Sequence, residues 1–326
     1  MSDKNKDLVE KAVEMMSDEE KSAALQGGAS AFEKWIMQCC KADEWDLRKF
    51  LKKILGRAGF TIYEDGYLSE RCKTNSKYNT VHNMLAIRGE NPRICLVAHT
   101  DVCRNHGSEK FEDGESDEYA YWMGGAGSAA KKTDADKKRI PLKVRPVIKE
   151  IEQDGKVRRI ITDKENRIQV GGDDRLGVSM NVFYAINSGL PVGLFFPTDE
   201  EIGLKSASVC EMPQLKDFDL LVQTDRGNHS NELVVKIGGE ILMTYSTTVR
   251  LLEIAYDIGL PRYPVHGMGT DIYAIKKRNM CKEACNLTVG YHNSRGDSSD
   301  EYIDIQEAKD SLRYISEIVK DYYLNE

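Results

Sequence analysis

The sequence lacks both a long apolar run and a regular cysteine pattern. No stretch approaches the roughly 18 consecutive apolar residues that a membrane helix needs, and the N-terminal residues contain no apolar segment typical of a secretory signal. The 8 cysteines show no framework spacing, and Cys39 and Cys40 are adjacent, which suits a disulfide-bonded domain poorly. These absences predict a cytoplasmic protein with reduced thiols and no membrane partner.

An excess of positive charge is also missing, since the net charge is −7 at pH 7. Short basic runs such as Lys131-Lys132 lie among acidic residues and are typical of a solvated surface. Proteins that bind nucleic acid by neutralising phosphates need the opposite balance, so we expect no nucleic-acid partner. No internal repeat is visible, and although an oligomer is possible, the sequence offers no support for one.

What the sequence does contain is an alternation of short apolar runs with helical patterns. The runs at residues 94–98, 191–197, 220–223 and 287–290 are typical of buried strands. The predicted helices cover residues 29–58, 173–189, 242–258 and 305–323, and a short one follows Gly203. This alternation predicts an α/β fold with a mostly parallel central sheet and helices on both faces.

We predict a single main domain over residues 31–326, preceded by a peripheral helix within residues 1–30. The interval 102–170 is expected to form an insertion, either a flap or a small β subdomain. Its later part alternates in hydropathy around the pair Asp154-Gly155, which is a typical signal for a β-hairpin turn.

Acidic residues and histidines follow the ends of the predicted strands in a fixed order. The clusters are His99-Thr100-Asp101, Gly171-Gly172-Asp173-Asp174-Arg175, Asp199-Glu200-Glu201, Asp225 and Tyr291-His292-Asn293. Ligands of such sheets bind outside the carboxyl ends of the strands, so we expect these side chains to meet there. Two imidazoles and several carboxylates suit a pair of divalent cations that share one carboxylate.

Each cluster has a simpler explanation when it is taken alone. A His-x-Asp triplet arises often by chance, and an aspartate after paired glycines could cap a helix. Three adjacent acids are common on surfaces, but directly after a buried strand they would repel one another unless a dication were bound. Because residues two apart on a strand share a face, Asp101 could orient the ring of His99. The hypothesis of a metal site therefore rests on all five clusters in their order and not on any single one.

The order of these motifs resembles that of the co-catalytic zinc exopeptidase superfamily, which includes peptidase T, leucyl and glutamyl aminopeptidases, and aminoacylase-type deacetylases. The segment 161–177 and the triplet Gly269-Thr270-Asp271 are most similar to the peptidase T and glutamyl aminopeptidase branches. The resemblance extends over residues 31–323.

The resemblance implies two divalent metal ions, zinc with cobalt or manganese as alternatives. The ligand set would be His99, Asp173 and Asp225 for one ion, and Asp173, Glu201 and His292 for the other. Asp173 is expected to be the bridge, rather than Asp174, because family members place a glycine four residues later, here Gly177. Glu200 would be the general base and Asp101 the orienting acid.

The predicted function is hydrolysis of an amide bond by a zinc-dependent enzyme, in the first instance an aminopeptidase that acts on small peptides. Hydrolysis of an N-acyl amino acid is the close alternative, and an inactive binding or regulatory protein with the same fold is a further one. The interval 226–291 is too short for the lid domain that peptidase T carries, so residues 102–139 are expected to act as a flap. The candidate substrate contacts are Arg175, Asp271, Tyr121 and Trp122.

Overall fold

The protein is described by a computed structural model that covers residues 30–69, 81–102, 144–166, 168–228, 231–294 and 300–324. The predicted N-terminal helix lies outside the described residues, which begin with Ser30 at the end of the interval 1–30. The same is true of the predicted flap contacts Tyr121 and Trp122, so both predictions stay open.

A mixed sheet of 9 strands forms the centre of the fold. Its strands are β1 (Thr61–Glu64), β2 (Met84–Arg88), β3 (Ile94–Val97), β6 (Val192–Phe196), β7 (Leu220–Arg226), β8 (Glu232–Ile237), β9 (Glu240–Ile241), β10 (Tyr263–Gly267) and β11 (Glu283–Thr288). Their spatial order is β1-β2-β6-β3-β7-β11-β8-β10, with β9 paired to β8. The middle strands β6, β3, β7 and β11 are parallel, and antiparallel pairs lie towards the margins.

The helices lie on both faces of this sheet. They are α1 (Ala31–Lys41), α2 (Glu44–Arg57), α3 (Gly172–Ser188), α4 (Lys205–Val209), α5 (Tyr245–Asp257), α6 (Asp271–Lys277) and α7 (Ile305–Leu324). The single helical stretch predicted over 29–58 is two helices. The physical reason is the side chain of Asp43, which accepts the Asp46 N–H at 2.8 Å and starts a second helix.

The strand β3 shows why the sheet separates two hydrophobic cores. All of its residues are fully buried, and alternate side chains point to opposite faces. Ile94 and Leu96 pack into a core with α1, α2, α3, α5 and α7, whereas Cys95 and Val97 pack into a core with α4 and α6. The predicted α/β architecture with helices on both faces is thereby confirmed.

A second sheet has 4 strands in the order β12-β13-β5-β4. They are β4 (Pro146–Gln153), β5 (Lys156–Asp163), β12 (Tyr291–His292) and β13 (Tyr302–Asp304). The strands β4 and β5 form the predicted hairpin, with Asp154 and Gly155 at its turn. Because β13 pairs with β5, the hairpin shares its sheet with the segment that carries His292.

In the part of the chain that the structure describes, no helix is long and apolar enough to cross a membrane. The cysteines within those same ranges are free thiols.

Candidate functional site

Three parallel strands bring most of the predicted catalytic and metal-binding residues to one edge of the central sheet. His99 and Asp101 follow β3, and residues 199–201 follow the neighbouring β6. Asp225 lies near the end of β7, which pairs with β3 on its other side. Since the strands run in the same direction, their carboxyl ends meet at this edge, as the sequence predicts.

The His99 ring is fully buried and surrounded by carboxylates. Its Nε2 lies 3.1 Å from Asp173 Oδ1 and 3.5 Å from Asp225 Oδ1. Its Nδ1 lies 2.9 Å from the backbone oxygen of Asp101. Although desolvation opposes a charge on the ring, the surrounding carboxylates, that of Asp225 above all, raise the pKa of His99 well above its usual value. This edge of the sheet therefore stabilises positive charge.

Two overlapping groups of side chains have the composition and spacing to hold a metal ion. His99, Asp173 and Glu201 form the first group, and His99, Asp174 and Asp225 form the second; the ligand atoms within a group lie within 4.8 Å of one another. One imidazole with two carboxylates is a ligand set that Zn²⁺ accepts. Asp174, which the sequence analysis sets aside in favour of Asp173, belongs to the second group.

The carboxyl groups of this site are crowded, and they are buried or half-buried. Desolvation raises the pKa values of Asp174, Glu200 and Glu201 well above their usual range, and neighbouring carboxylates raise them further. Within the described ranges, Asp174 Oδ2 is buried without a hydrogen-bond partner. A divalent cation would offset the repulsion and give this oxygen a partner. The donor set therefore fits a divalent metal ion.

Gly177 explains how the Asp174 carboxylate reaches this position. The Gly177 N–H donates to Asp174 Oδ1 at 3.0 Å. A Cβ atom at Gly177 would lie 2.3 Å from that oxygen and 2.3 Å from the backbone oxygen of Thr224 on β7. Only glycine lets the first turn of α3 approach the strand this closely.

The Asp101 side chain connects β3 to the turn after β6. Its carboxylate oxygens accept the backbone N–H groups of Glu200 and Glu201 at 3.2 and 3.1 Å. One of them also lies 3.5 Å from His99 Nδ1. The orienting role towards His99 stays a prediction, and the contact with the turn is an additional one that the sequence does not indicate.

Three hydrogen-bond donors to which the sequence analysis gave no role converge on Asp225. Its Oδ2 accepts from Gln223 Nε2 at 3.1 Å and from Thr270 Oγ1 at 3.0 Å, while its Oδ1 accepts from the Tyr291 hydroxyl at 3.3 Å. Gln223 lies two residues before Asp225 on β7, so strand alternation could have indicated it. Tyr291 directly precedes the predicted ligand His292. Such bonds fix the orientation of a metal-binding carboxylate.

Glu301 is a further buried carboxylate that the sequence did not single out. Its Oε2 accepts the Gly171 N–H at 2.6 Å, and its Oε1 accepts the Asp173 N–H at 3.4 Å. A Cβ at Gly172 would lie 2.7 Å from Tyr291 Cβ, so glycine at this position is needed for the close approach. Desolvation raises the pKa of Glu301 to about 7. Glu301 therefore holds the backbone that presents Asp173.

His292 is not brought into either metal-capable group found among the described residues. Its Nε2 lies 2.9 Å from Glu307 Oε2, and its ring stacks on Tyr302 with a centroid distance of 4.9 Å. Its role as a ligand of a second ion stays a prediction.

The two predicted substrate contacts that the structure describes are both buried. Arg175 is fully buried, and its guanidinium donates to the backbone oxygens of Thr100 and Ala42. The role of Arg175 as a substrate contact stays a prediction. Asp271 is also fully buried, and its Oδ2 accepts from Gln223 Nε2 at 3.2 Å.

The fold is shared with solved structures of peptidases. The chain is similar to the aminopeptidase PepT from Bacillus cereus, with a TM-score of 0.60 and 12% identity over 90% of this chain and 98% of that chain. It is similar to a tripeptidase from Staphylococcus aureus, with a TM-score of 0.58 and 13% identity over 89% of this chain and 97% of that one. It is also similar to a TET aminopeptidase from a marine sediment Thaumarchaeota archaeon, with a TM-score of 0.57 and 14% identity over 89% and 96% of the two chains.

No protein-family model matches the sequence, and no curated protein matches it either. The likeness is therefore one of fold, and it extends over nearly the whole length of the compared peptidases. The chain has the fold of these peptidases, and the fold implied by the resemblance in the motifs is thereby confirmed.

Proposed function

We propose that the protein is a metal-dependent aminopeptidase that acts on small peptides. The observation that carries the proposal is the pair of overlapping metal-capable groups around His99, with Glu200 on the adjoining turn. The fold neighbours support it, because they are named as aminopeptidases and a tripeptidase. An enzyme that cleaves N-acyl amino acids would use the same centre, so the experiment below includes that substrate class.

Two divalent ions, zinc in the first instance, would be held at this edge of the sheet. His99 and Asp225 would bind one ion, Glu201 and His292 the other, and Asp173 would bridge them. Asp174, which belongs to the second metal-capable group, would be the alternative to Asp173. The chemistry that such ions supply when bound is polarisation of the scissile carbonyl and a lowered pKa for water. The hydrogen bonds to Asp225 and the contact of Glu301 with the Asp173 backbone would keep these ligands in place.

Glu200 is the residue that would move the proton. Desolvation raises the pKa of its carboxyl well above the usual value, which brings it closer to the range where a group can both accept and return a proton. Asp101 fixes the Glu200 backbone at 3.2 Å. In the proposed reaction, Glu200 accepts a proton from the attacking water and passes it to the leaving amine.

The substrate class is tested with chelator-stripped protein that is reloaded with Zn²⁺, Co²⁺ or Mn²⁺. Amino-acid anilides, tripeptides, N-terminally acetylated tripeptides and N-acyl amino acids are compared, and the products are identified by mass spectrometry. We expect metal-dependent release of the first residue from free tripeptides and none from the acetylated ones. Turnover of N-acyl amino acids but not of peptides would show that the enzyme cleaves N-acyl amino acids instead. Metal binding without turnover of any substrate would favour a binding protein.

The role of Glu200 is tested by comparison with its neighbour. Glu200→Gln should lower kcat by about 10²–10⁴-fold with unchanged metal content, since general-base catalysis is lost. Glu201→Gln should instead reduce metal content, and Glu211→Gln, at an exposed position, is the matched control. Normal metal content and full activity in both site variants would contradict the assignment.

A further inference from the structure

Asp199, the residue next to the proposed proton carrier, is held by a segment outside the strands that carry the site. It is fully buried. Its Oδ2 accepts the Tyr67 hydroxyl at 2.7 Å, and its Oδ1 accepts the Ser69 hydroxyl at 2.8 Å. Asp199 belongs to neither metal-capable group of the described residues. The three consecutive acids 199–201 therefore have different surroundings.

The backbone at Asp199 adopts a conformation that few side chains favour. Its φ is 55°, in the left-handed region that Asp and Asn tolerate better than most residues. Conformations of this kind persist only where the surrounding structure holds them. The turn is closed by the Lys205 N–H, which donates to the Asp199 backbone oxygen at 3.0 Å, and by the Leu204 N–H, which donates to that of Glu200 at 2.9 Å.

The segment that carries the two hydroxyls is itself fixed to the central sheet. The Tyr67 N–H donates to Asp65 Oδ1 at 3.1 Å, and Asn83 Nδ2 donates to Asp65 Oδ2 at 2.6 Å. The Tyr67 backbone oxygen lies 2.6 Å from His82 Nδ1. His82 and Asn83 lead directly into β2, so the hydroxyls have defined positions relative to the sheet.

The turn is thus held at two points. The Asp101 carboxylate accepts the N–H groups of Glu200 and Glu201, and the Tyr67 and Ser69 hydroxyls hold Asp199. Rotation of the backbone at Asp199 would redirect both following carboxylates, because each leaves the chain within two residues of it. A defined φ at this position therefore fixes where those carboxylates lie.

The geometry points to Asp199 as a positioning residue: the hydroxyls of Tyr67 and Ser69 hold it in the left-handed conformation that directs Glu200 and Glu201 into the metal-capable site. The inference rests on the proposed function, because it assigns Asp199 a role through Glu200. It adds a residue that touches neither metal nor substrate but controls the placement of groups that do.

Three substitutions at Asp199 separate its side chain from its backbone conformation. Asp199→Ala removes both accepted hydrogen bonds and the tolerance of positive φ, so kcat should fall by about 10–100-fold while KM changes little. Asp199→Asn keeps that tolerance and one hydrogen-bond acceptor, so its kcat should fall less than that of Asp199→Ala. Asp199→Gly restores only the tolerance of positive φ, so its kcat should stay below that of Asp199→Asn. Wild-type kcat in Asp199→Ala overturns the inference.

A second readout does not depend on turnover. Titration with Co²⁺ alone should show about 10–100-fold weaker binding and an altered visible absorption spectrum in Asp199→Ala, because Glu201 is redirected. If the wild type cleaves no peptide, the proposed function fails, yet this titration still decides the inference. An unchanged affinity and spectrum overturn it.

A milder variant keeps the test decisive if Asp199→Ala does not fold. Tyr67→Phe removes one hydroxyl and should lower kcat and shift the Co²⁺ spectrum in the same direction. Tyr63→Phe, at an exposed position on β1, is the matched control and should change neither. A folded Tyr67→Phe variant with the kcat and spectrum of the wild type contradicts the role of the hydroxyl contacts.

Discussion

Replacing Glu301 with glutamine should change how the stability of the metal-free protein depends on pH. The Glu301 carboxyl is fully buried, and desolvation raises its pKa from 4.5 to about 7, although the hydrogen bond from the Gly171 N–H acts in the opposite direction. Glutamine has a similar shape but does not titrate. The substitution therefore removes one protonation event from the folded state.

The sign follows from which state holds the proton. An acid with a higher pKa in the folded protein stabilises it fully below the unfolded value, and this contribution is lost as pH rises through the folded value. For Glu301 the pKa rises from 4.5 in the unfolded chain to about 7 in the folded protein. This difference corresponds to about 3 kcal/mol in the free energy of unfolding. Between about pH 5 and pH 8, the wild type should lose about 2–3 kcal/mol more free energy of unfolding than Glu301→Gln.

Urea unfolding in the presence of a chelator measures this difference. The free energy of unfolding of both proteins is measured at both pH values, and its change with pH is compared. The contributions of other acids then cancel, and so does any loss of stability from the substitution that does not depend on pH. Glu211→Gln, at an exposed position, should behave like the wild type. Parallel pH dependences in the wild type and Glu301→Gln would refute the reasoning that Glu301 holds a proton in the folded protein.

Two further substitutions test other contacts of the site. Arg175→Met should lower the free energy of unfolding by roughly 2–4 kcal/mol, because the backbone oxygens of Thr100, which is buried, and Ala42, which is half-buried, lose their donor; urea unfolding checks this, and a raised KM with unchanged stability would instead support the predicted substrate contact. Tyr291→Phe removes a donor to Asp225 and should weaken metal binding by about tenfold; competition with a chromogenic chelator measures it, and unchanged affinity would show that the contact is dispensable.

The central strands could be predicted because burial on both faces requires apolar residues throughout. The run that becomes β3 satisfies this condition, and both cores of the protein contain residues from it. The hairpin of β4 and β5 also carried its own signal, since Asp154 and Gly155 adopt the positive φ values that such a turn needs. These features depend on residues close together in the sequence.

The strands that were not predicted depend on their partners. In β8, polar residues such as Lys236 interrupt the apolar pattern, and β10 is an exposed edge strand that contains Pro264. Each becomes a strand because it pairs with the other in parallel. Propensity along the chain carries little information about such pairs, which form between segments about 30 residues apart.

The same distinction between local signals and packing partners applies to the candidate site. The ordered motifs predicted which residues would collect at the carboxyl edge, because each motif follows its own strand or starts a helix. The direction of Arg175 and the second contact of Asp101 depend on how α3 and the turn after β6 pack. Neither is encoded in the spacing of the motifs.

The contact between Glu301 and Gly171 has a consequence for the order in which the protein can assemble. It joins residues 130 positions apart in the sequence, and closing a loop of that length costs roughly 4 kcal/mol in chain entropy. Helices and the β4–β5 hairpin need no such closure and can form early. The backbone that presents Asp173 is completed only when the C-terminal part of the chain has folded back onto it. The site is therefore expected to form late in folding, after the N-terminal and C-terminal parts of the fold have come together.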